Sequence, residues 1–232
     1  MLAVARASID RPPWIVLASL EIAILLFDGL TALDAVGPYE VLAMMPEAHV
    51  RFVATERGAK RTARNGSLAL VADHTLSEVS RPDVVLVPGG PGEVVIRSDP
   101  AVLAWLRSAH ETSRWTTSVC TGALTLAAAG FLDGVDATTH WSSMDDLAAL
   151  GAKPVPERVV VRGKMITAAG VSAGIDMALR LAQLEAGDDV AMAIQLILEY
   201  DPQPPFDAGS PAKAPAYVME LVQDRRRRRT GT

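Results

Sequence analysis

Cys120 is the only cysteine in the 232-residue chain, and it lies in Thr116-Thr117-Ser118-Val119-Cys120-Thr121-Gly122-Ala123. There a short β-branched run meets an Ala/Leu-rich stretch, the strand-to-helix turn that presents a nucleophile at the top of a sheet. A thiol at the head of a helix faces the positive end of the dipole and several unpaired N–H groups, which favour the thiolate. The same residue read blandly is an inert, buried small hydrophobe. Gly89-Gly90, inside Pro88-Gly89-Gly90-Pro91-Gly92, would let the backbone approach a ligand. With the Thr121 amide they would give a donor set for charge on an adduct, or only a tight turn. Asp34 stands between Leu33 and Ala35 in an apolar stretch. A carboxyl group dehydrated beside a thiolate titrates near neutrality and can carry a proton, whereas the plain alternative is a helix N-cap. Thr121 can bond sulfur, substrate or water, or simply sit in a first helical turn. His140-Trp141 follows the cysteine by twenty residues and offers a base, or a histidine satisfied in a packed turn.

The elements that must hold these groups are strands alternating with helices. Ile22–Phe27 is a continuous apolar run ended by Asp28-Gly29, as for a strand buried on both faces. Tyr39–Met45 reads as a helix with Pro38 at its start, Val50–Ala54 as a second strand, and Ser67–Val71 as an edge or hairpin strand after the turn Asn65-Gly66. Asp83–Val87 and Trp115–Val119 are further strands, with Ala101–Glu111 and Gly122–Ala129 as helices, the latter stopped by Gly130. A short strand is expected near Ala137–Thr139, and a helix over Ser142–Leu150 with Ser142 as N-cap. Arg158–Val161 and Lys164–Thr167 flank Arg162-Gly163 as a two-residue hairpin turn, before helices Ala173–Glu185 and Asp188–Glu199. The Pro-rich stretch beyond Tyr200 reads as an irregular surface wrap. The pattern predicts one α/β domain with a doubly wound, mostly parallel sheet, flavodoxin-like, and ligands at the carboxyl ends of the strands.

Composition bounds the function. Half the residues are hydrophobic and the formal net charge is −5, which argues against general nucleic-acid binding. One cysteine forms no intramolecular disulfide and fits a reducing compartment, the cytoplasm. His49, His74, His110 and His140 show no paired ligand spacing, so no metal is expected. No stretch approaches the roughly 20 apolar residues that span a bilayer. Residues 1–20 read as a loosely docked N-terminal extension, 21–211 as the domain, and 212–232 as a C-terminal segment whose Arg225–Arg229 run is a solvated, disordered tail.

Four segments taken together resemble the ThiJ/PfpI superfamily of class I glutamine-amidotransferase-like proteins. They are Pro88–Gly92, Ser118-Val119-Cys120-Thr121-Gly122, Ala137-Thr138-Thr139-His140-Trp141 and Ala173-Gly174-Ile175-Asp176. Leu33-Asp34 before Gly37-Pro38, the Cys120-Thr121 pair, and Leu198-Glu199-Tyr200 running into Pro204–Pro211 are similar to its isonitrile hydratase branch. Many members place a glutamate against the cysteine where this chain offers Asp34. Protease-like members carry histidine after the nucleophile, where this chain has Thr121, which argues against peptidase activity. Regulators built on the same fold continue into a helix-turn-helix, for which the residues after Pro211 are too few.

The resemblance implies a cofactor-free hydro-lyase that turns an isocyanide into an N-substituted formamide. Cys120 would attack, Asp34 would shuttle the proton, and Thr121 with the amides of Gly89 and Gly90 would hold the adduct, His140 remaining a second candidate acid–base or substrate contact. It also implies a homodimer with a small-molecule substrate and no nucleic-acid or membrane partner. The rival readings are a redox or ligand sensor without turnover, in which an exposed thiol oxidises, and glyoxalase- or deglycase-like action on α-oxoaldehydes.

Overall fold

A computed structural model describes residues 19–63 and 65–230. The bulk of the expected N-terminal extension, residues 1–18, lies outside the described residues, while Leu20 already belongs to the sheet.

Strand β1 (Leu20–Leu25) is buried at every position but Glu21, as its unbroken apolar run requires of a strand covered on both sides. Helix α1 (Ala32–Leu42), β2 (Ala48–Ala54), the hairpin β3 (Gly58–Arg61) and β4 (Ala69–Ala72), and the short β5 (His74–Thr75) follow. Next come β6 (Val84–Val87), α2 (Glu93–Ile96), α3 (Pro100–Thr112), β7 (Trp115–Val119) and α4 (Gly122–Ala128). The second half holds β8 (Asp136–Ala137), α5 (Met144–Ala149), β9 (Lys153–Pro154), β10 (Val159–Arg162), β11 (Met165–Ala168), α6 (Ala173–Ala186), α7 (Asp188–Ile197) and α8 (Ala216–Thr230). Seven strands form the main sheet in the order β10-β11-β7-β6-β1-β2-β5, all parallel except the β10–β11 hairpin.

That order creates the site. From β1 the chain winds outward to β2 on one side, and then to β6, β7 and β11 on the other. The reversal leaves a crevice outside the carboxyl ends of β1 and β6, where open α/β sheets bind ligands. Asp34 follows β1, Gly89 and Gly90 follow β6, and Cys120 follows the adjacent β7. The doubly wound sheet expected from the sequence is the fold observed.

Several boundaries differ. Helix α1 starts at Ala32, well before Tyr39, so Pro38 is interior and Asp34 lies within the first turn rather than capping it; the N-cap position is Thr31. Proline there leaves the Asp34 carbonyl without its helical N–H. Packing against α6 compensates: a Cβ on Gly37 would stand 3.0 Å from Ile175 Cγ1, and one on Gly174 would stand 3.1 Å from Pro38 Cγ. Small residues thus let the two helices approach closely, and tertiary contact overrides the local helix-breaking rule. Ser142 is not an N-cap; Trp141–Ser143 is a 3-10 turn, α5 begins at Met144, and the His140 ring accepts the Ser142 N–H. Hairpin register is one residue later than expected, because Arg162 pairs with Met165 across Gly163-Lys164 and Gly163 supplies the positive φ of 56°. Residues 201–215 are irregular, as read, but the arginine run continues helix α8 instead of a disordered tail.

Gly122, the first residue of α4, fixes the distance between the nucleophile's helix and β6. A Cβ there would fall 2.1 Å from the Val87 carbonyl oxygen, which is backbone and has nowhere to go. Gly122→Ala is therefore expected to cost about 3 kcal/mol through overpacking. A urea midpoint unchanged from the parent protein would refute this account of the β6–α4 contact.

Candidate active site

Cys120 comes directly after β7 and has φ +57°, in the left-handed region. A non-glycine residue there carries about 1–3 kcal/mol of strain and persists only where its surroundings hold it. Three bonds do so: Cys120 N–H reaches the carbonyls of Ala168 (3.1 Å) and Ala169 (3.0 Å), and the Thr139 hydroxyl donates to the Cys120 carbonyl at 2.7 Å. The residue is 6% exposed. The backbone N–H groups of Thr121 and Val171 point at the sulfur.

Asp34 is fully buried, with Oδ2 accepting the Gly89 N–H at 2.9 Å. Its other oxygen, Oδ1, is buried and accepts no N–H or O–H hydrogen bond among the described residues. Cys120 is the one side chain whose hydrogen bonding bears on this carboxyl group. Burial raises Asp34 from the ordinary 3.8 to about 7, against the smaller opposing effects of the Gly89 N–H and the thiol. Burial and then the Asp34 charge push the Cys120 thiol up to about 12, only partly offset by the Val171 and Thr121 amides. The thiolate expected from the helix head is thus not the resting form. Dehydration and a neighbouring carboxylate outweigh two N–H donors and a helix of seven residues.

The glycines serve differently from the expectation. Gly89 gives its amide to Asp34, and Gly90 donates at 3.0 Å to Thr121 Oγ1, so both amides orient site side chains rather than standing open. Glycine is required at 89 because a Cβ would meet the Thr121 nitrogen at 2.4 Å and Cys120 Cβ at 3.0 Å. Thr121 Oγ1, satisfied as an acceptor, keeps its own hydrogen to donate. His140 borders the site: its Nδ1 lies 2.7 Å from Ser142 Oγ, and its ring packs on Gly170 after β11. Val171 and Thr139 were not singled out in the sequence as site residues. Gly170 after β11, the strand beside β7, is the signal that a fourth loop reaches the crevice.

Among the described residues, no three His, Cys, Asp or Glu side chains gather as a metal site, and no helix is long and apolar enough to cross a membrane.

The Asp34 shift sets a pH dependence of stability. The native carboxyl group holds a proton that the unfolded chain releases near 3.8, so stability falls as pH rises from about 4 to about 7 and is level above. The full fall is on the order of 4 kcal/mol. Asp34→Asn, which keeps an acceptor for Gly89, should lose this fall and gain on the parent protein at pH 8 relative to pH 5. Parallel urea-stability profiles for the two proteins would contradict the burial of an ionisable Asp34.

Comparison with known proteins agrees with this geometry. A profile of the DJ-1/PfpI family matches residues 20–184. An isonitrile hydratase of Pseudomonas putida is 45% identical over 89% of this chain and 90% of its own length. The transcriptional regulator CdhR of Pseudomonas aeruginosa is 29% identical over 73% of the chain, which spans 52% of that protein. Among solved structures, a ThiJ/PfpI family protein from Pseudomonas syringae superposes with a TM-score of 0.87 at 36% identity, covering 97% of this chain and 93% of that one. With a strained cysteine elbow at the switch point of the sheet and a family match over most of its length, the chain belongs to the DJ-1/PfpI family.

Proposed function

We propose that this protein hydrates isocyanides, R–N≡C, to N-substituted formamides, using its own side chains and no cofactor. The observation that carries the reading is the buried Cys120–Asp34 pair, a protonated thiol against a carboxyl group that titrates near 7. The 45% identity to an isonitrile hydratase supports the same chemistry.

The terminal carbon of an isocyanide accepts a soft nucleophile and then needs one proton. Asp34, as carboxylate, takes the thiol proton while sulfur bonds to that carbon, and returns the proton to the same carbon, giving a thioimidate, Cys–S–CH=N–R. Water then adds across C=N: its hydroxyl goes to carbon, and Asp34 relays its proton to nitrogen. The tetrahedral adduct collapses as C–S breaks, the hydroxyl becomes the formyl oxygen, and its proton returns to sulfur through Asp34. The sum is R–N≡C plus water giving R–NH–CHO. Thr121 Oγ–H is placed to donate to the adduct, while the Gly89 and Gly90 amides keep Asp34 and Thr121 in position. The dry site keeps the thioimidate from water other than the one Asp34 directs.

A sensor reading is less favoured, because a thiol near 12 that is 6% exposed offers little thiolate to an oxidant.

Turnover of a small panel of alkyl and aryl isocyanides, followed by formamide appearance in NMR, is the direct check. Cys120→Ala should abolish product, and Asp34→Asn should lower kcat by roughly 100- to 10,000-fold with the fold intact. In the parent protein kcat/KM should rise with pH through about 7, as Asp34 ionises, and the variant should lack that inflection. Formamide formation by Cys120→Ala at the parent rate, or turnover of methylglyoxal alone, would defeat the proposal.

A further inference from the structure

Glu93 is a buried carboxyl group outside the Cys120–Asp34 pair. It opens α2, a helix of four residues, and is 3% exposed. Thr125 on α4, itself fully buried, donates its hydroxyl to Glu93 Oε1 at 2.8 Å, and Arg97 Nε lies 3.9 Å from Oε2. Burial pushes this carboxyl group above its usual range. The Thr125 hydroxyl and then Arg97 pull it back in part, and Asp146 of α5 adds to the rise. An apolar side chain would fill the same place without that cost. It would leave the Thr125 hydroxyl to bond within its own helix, to the carbonyl one turn back.

The bonds around Glu93 close a ring. Its N–H donates to the Gly90 carbonyl at 2.9 Å, and the Gly90 N–H donates to Thr121 Oγ1 at 3.0 Å. Thr121 and Thr125 are four residues apart, so their hydroxyls share one side of the start of α4. The Glu93 carboxyl group completes the circuit at Thr125. On the far side, the Thr31 N–H donates to the Gly89 carbonyl at 2.8 Å and ties that peptide to the loop after β1. A single helical turn such as α2 does not persist without tertiary contact. Val94 and Val95 are 52% and 68% exposed, so α2 is anchored inward through its two buried residues, Glu93 and Ile96.

We propose that Glu93 is a positioning residue: by holding Thr125 it fixes α4 against the Gly90 loop and so aims the Thr121 hydroxyl at the adduct. Thr121 as a donor in isocyanide hydration is the reading on which this role rests. With the Gly90 N–H on its oxygen, Thr121 keeps its hydrogen for the adduct. A loop shift of about 1 Å would turn that hydrogen away.

Glu93→Leu removes the acceptor, Thr125→Val removes the donor, and Glu93→Gln keeps an oxygen for Thr125. The first two should each lower kcat about 10-fold with KM within about twofold, while Glu93→Gln stays near the parent rate. In a Thr121→Val background, Glu93→Leu should add no further loss, because its effect passes through that hydroxyl. Amide hydrogen exchange at Gly90, read by NMR without substrate, tests the ring apart from turnover. Protection should fall about 10-fold in Glu93→Leu and hold in Glu93→Gln. A parent protein that forms no formamide would remove the proposed reaction, and the clamp would then stand or fall on the Gly90 exchange. Unchanged Gly90 protection in Glu93→Leu, a Glu93→Gln as slow as Glu93→Leu, or losses that add to that of Thr121→Val would each overturn the assignment.

Discussion

The site rests on the dehydrated contact between the Asp34 carboxyl group and the Cys120 thiol. In water each would titrate separately, and far apart. Packed together out of solvent, both retain their protons to higher pH than usual, chiefly because burial penalises either charge, and the Asp34 carboxylate adds to the cost of ionising the thiol. A proton is thereby held where a soft nucleophile can be uncovered and an adduct protonated by one short transfer. The Gly89 amide fixes one carboxyl oxygen, and the carboxyl group it holds interacts with the Cys120 thiol. The Gly90 amide does the same service for Thr121.

Such a pair is costly to fold. A carboxyl group with no exposure and a cysteine in the left-handed region both oppose stability, and they are retained because the surroundings over-determine them. The cost is met by a sheet whose central strands are apolar on both faces, with β6 wholly buried and β1 nearly so. Glycines at 89 and 122 remove side chains where the β6 loop and the nucleophile's helix must touch. The rigidity of the crevice is thus a property of the sheet core, not of the loops alone.

Much of this was legible in the sequence because the information is local. The apolar runs at 22–27 and 83–87 mark buried parallel strands, Trp115–Val119 is a strand at the very residues read, and the Cys120 elbow follows from a β-branched run meeting a helix former. Asp34 and Thr121 were visible as polar residues at strand ends. What the tertiary structure decided depends on residues far apart in the chain. Packing of Gly37 and Pro38 on α6 lets α1 begin at Ala32 and carries Asp34 inward, and only in the folded chain do burial and then the Asp34 charge lift the thiol out of the thiolate range. The engagement of the Gly89 and Gly90 amides, and the arrival of Val171 at the sulfur, likewise arise where loops from four strands converge. Sequence sets which groups are available; dehydration and mutual proximity, which exist only after the chain has folded, set their charge and their partners.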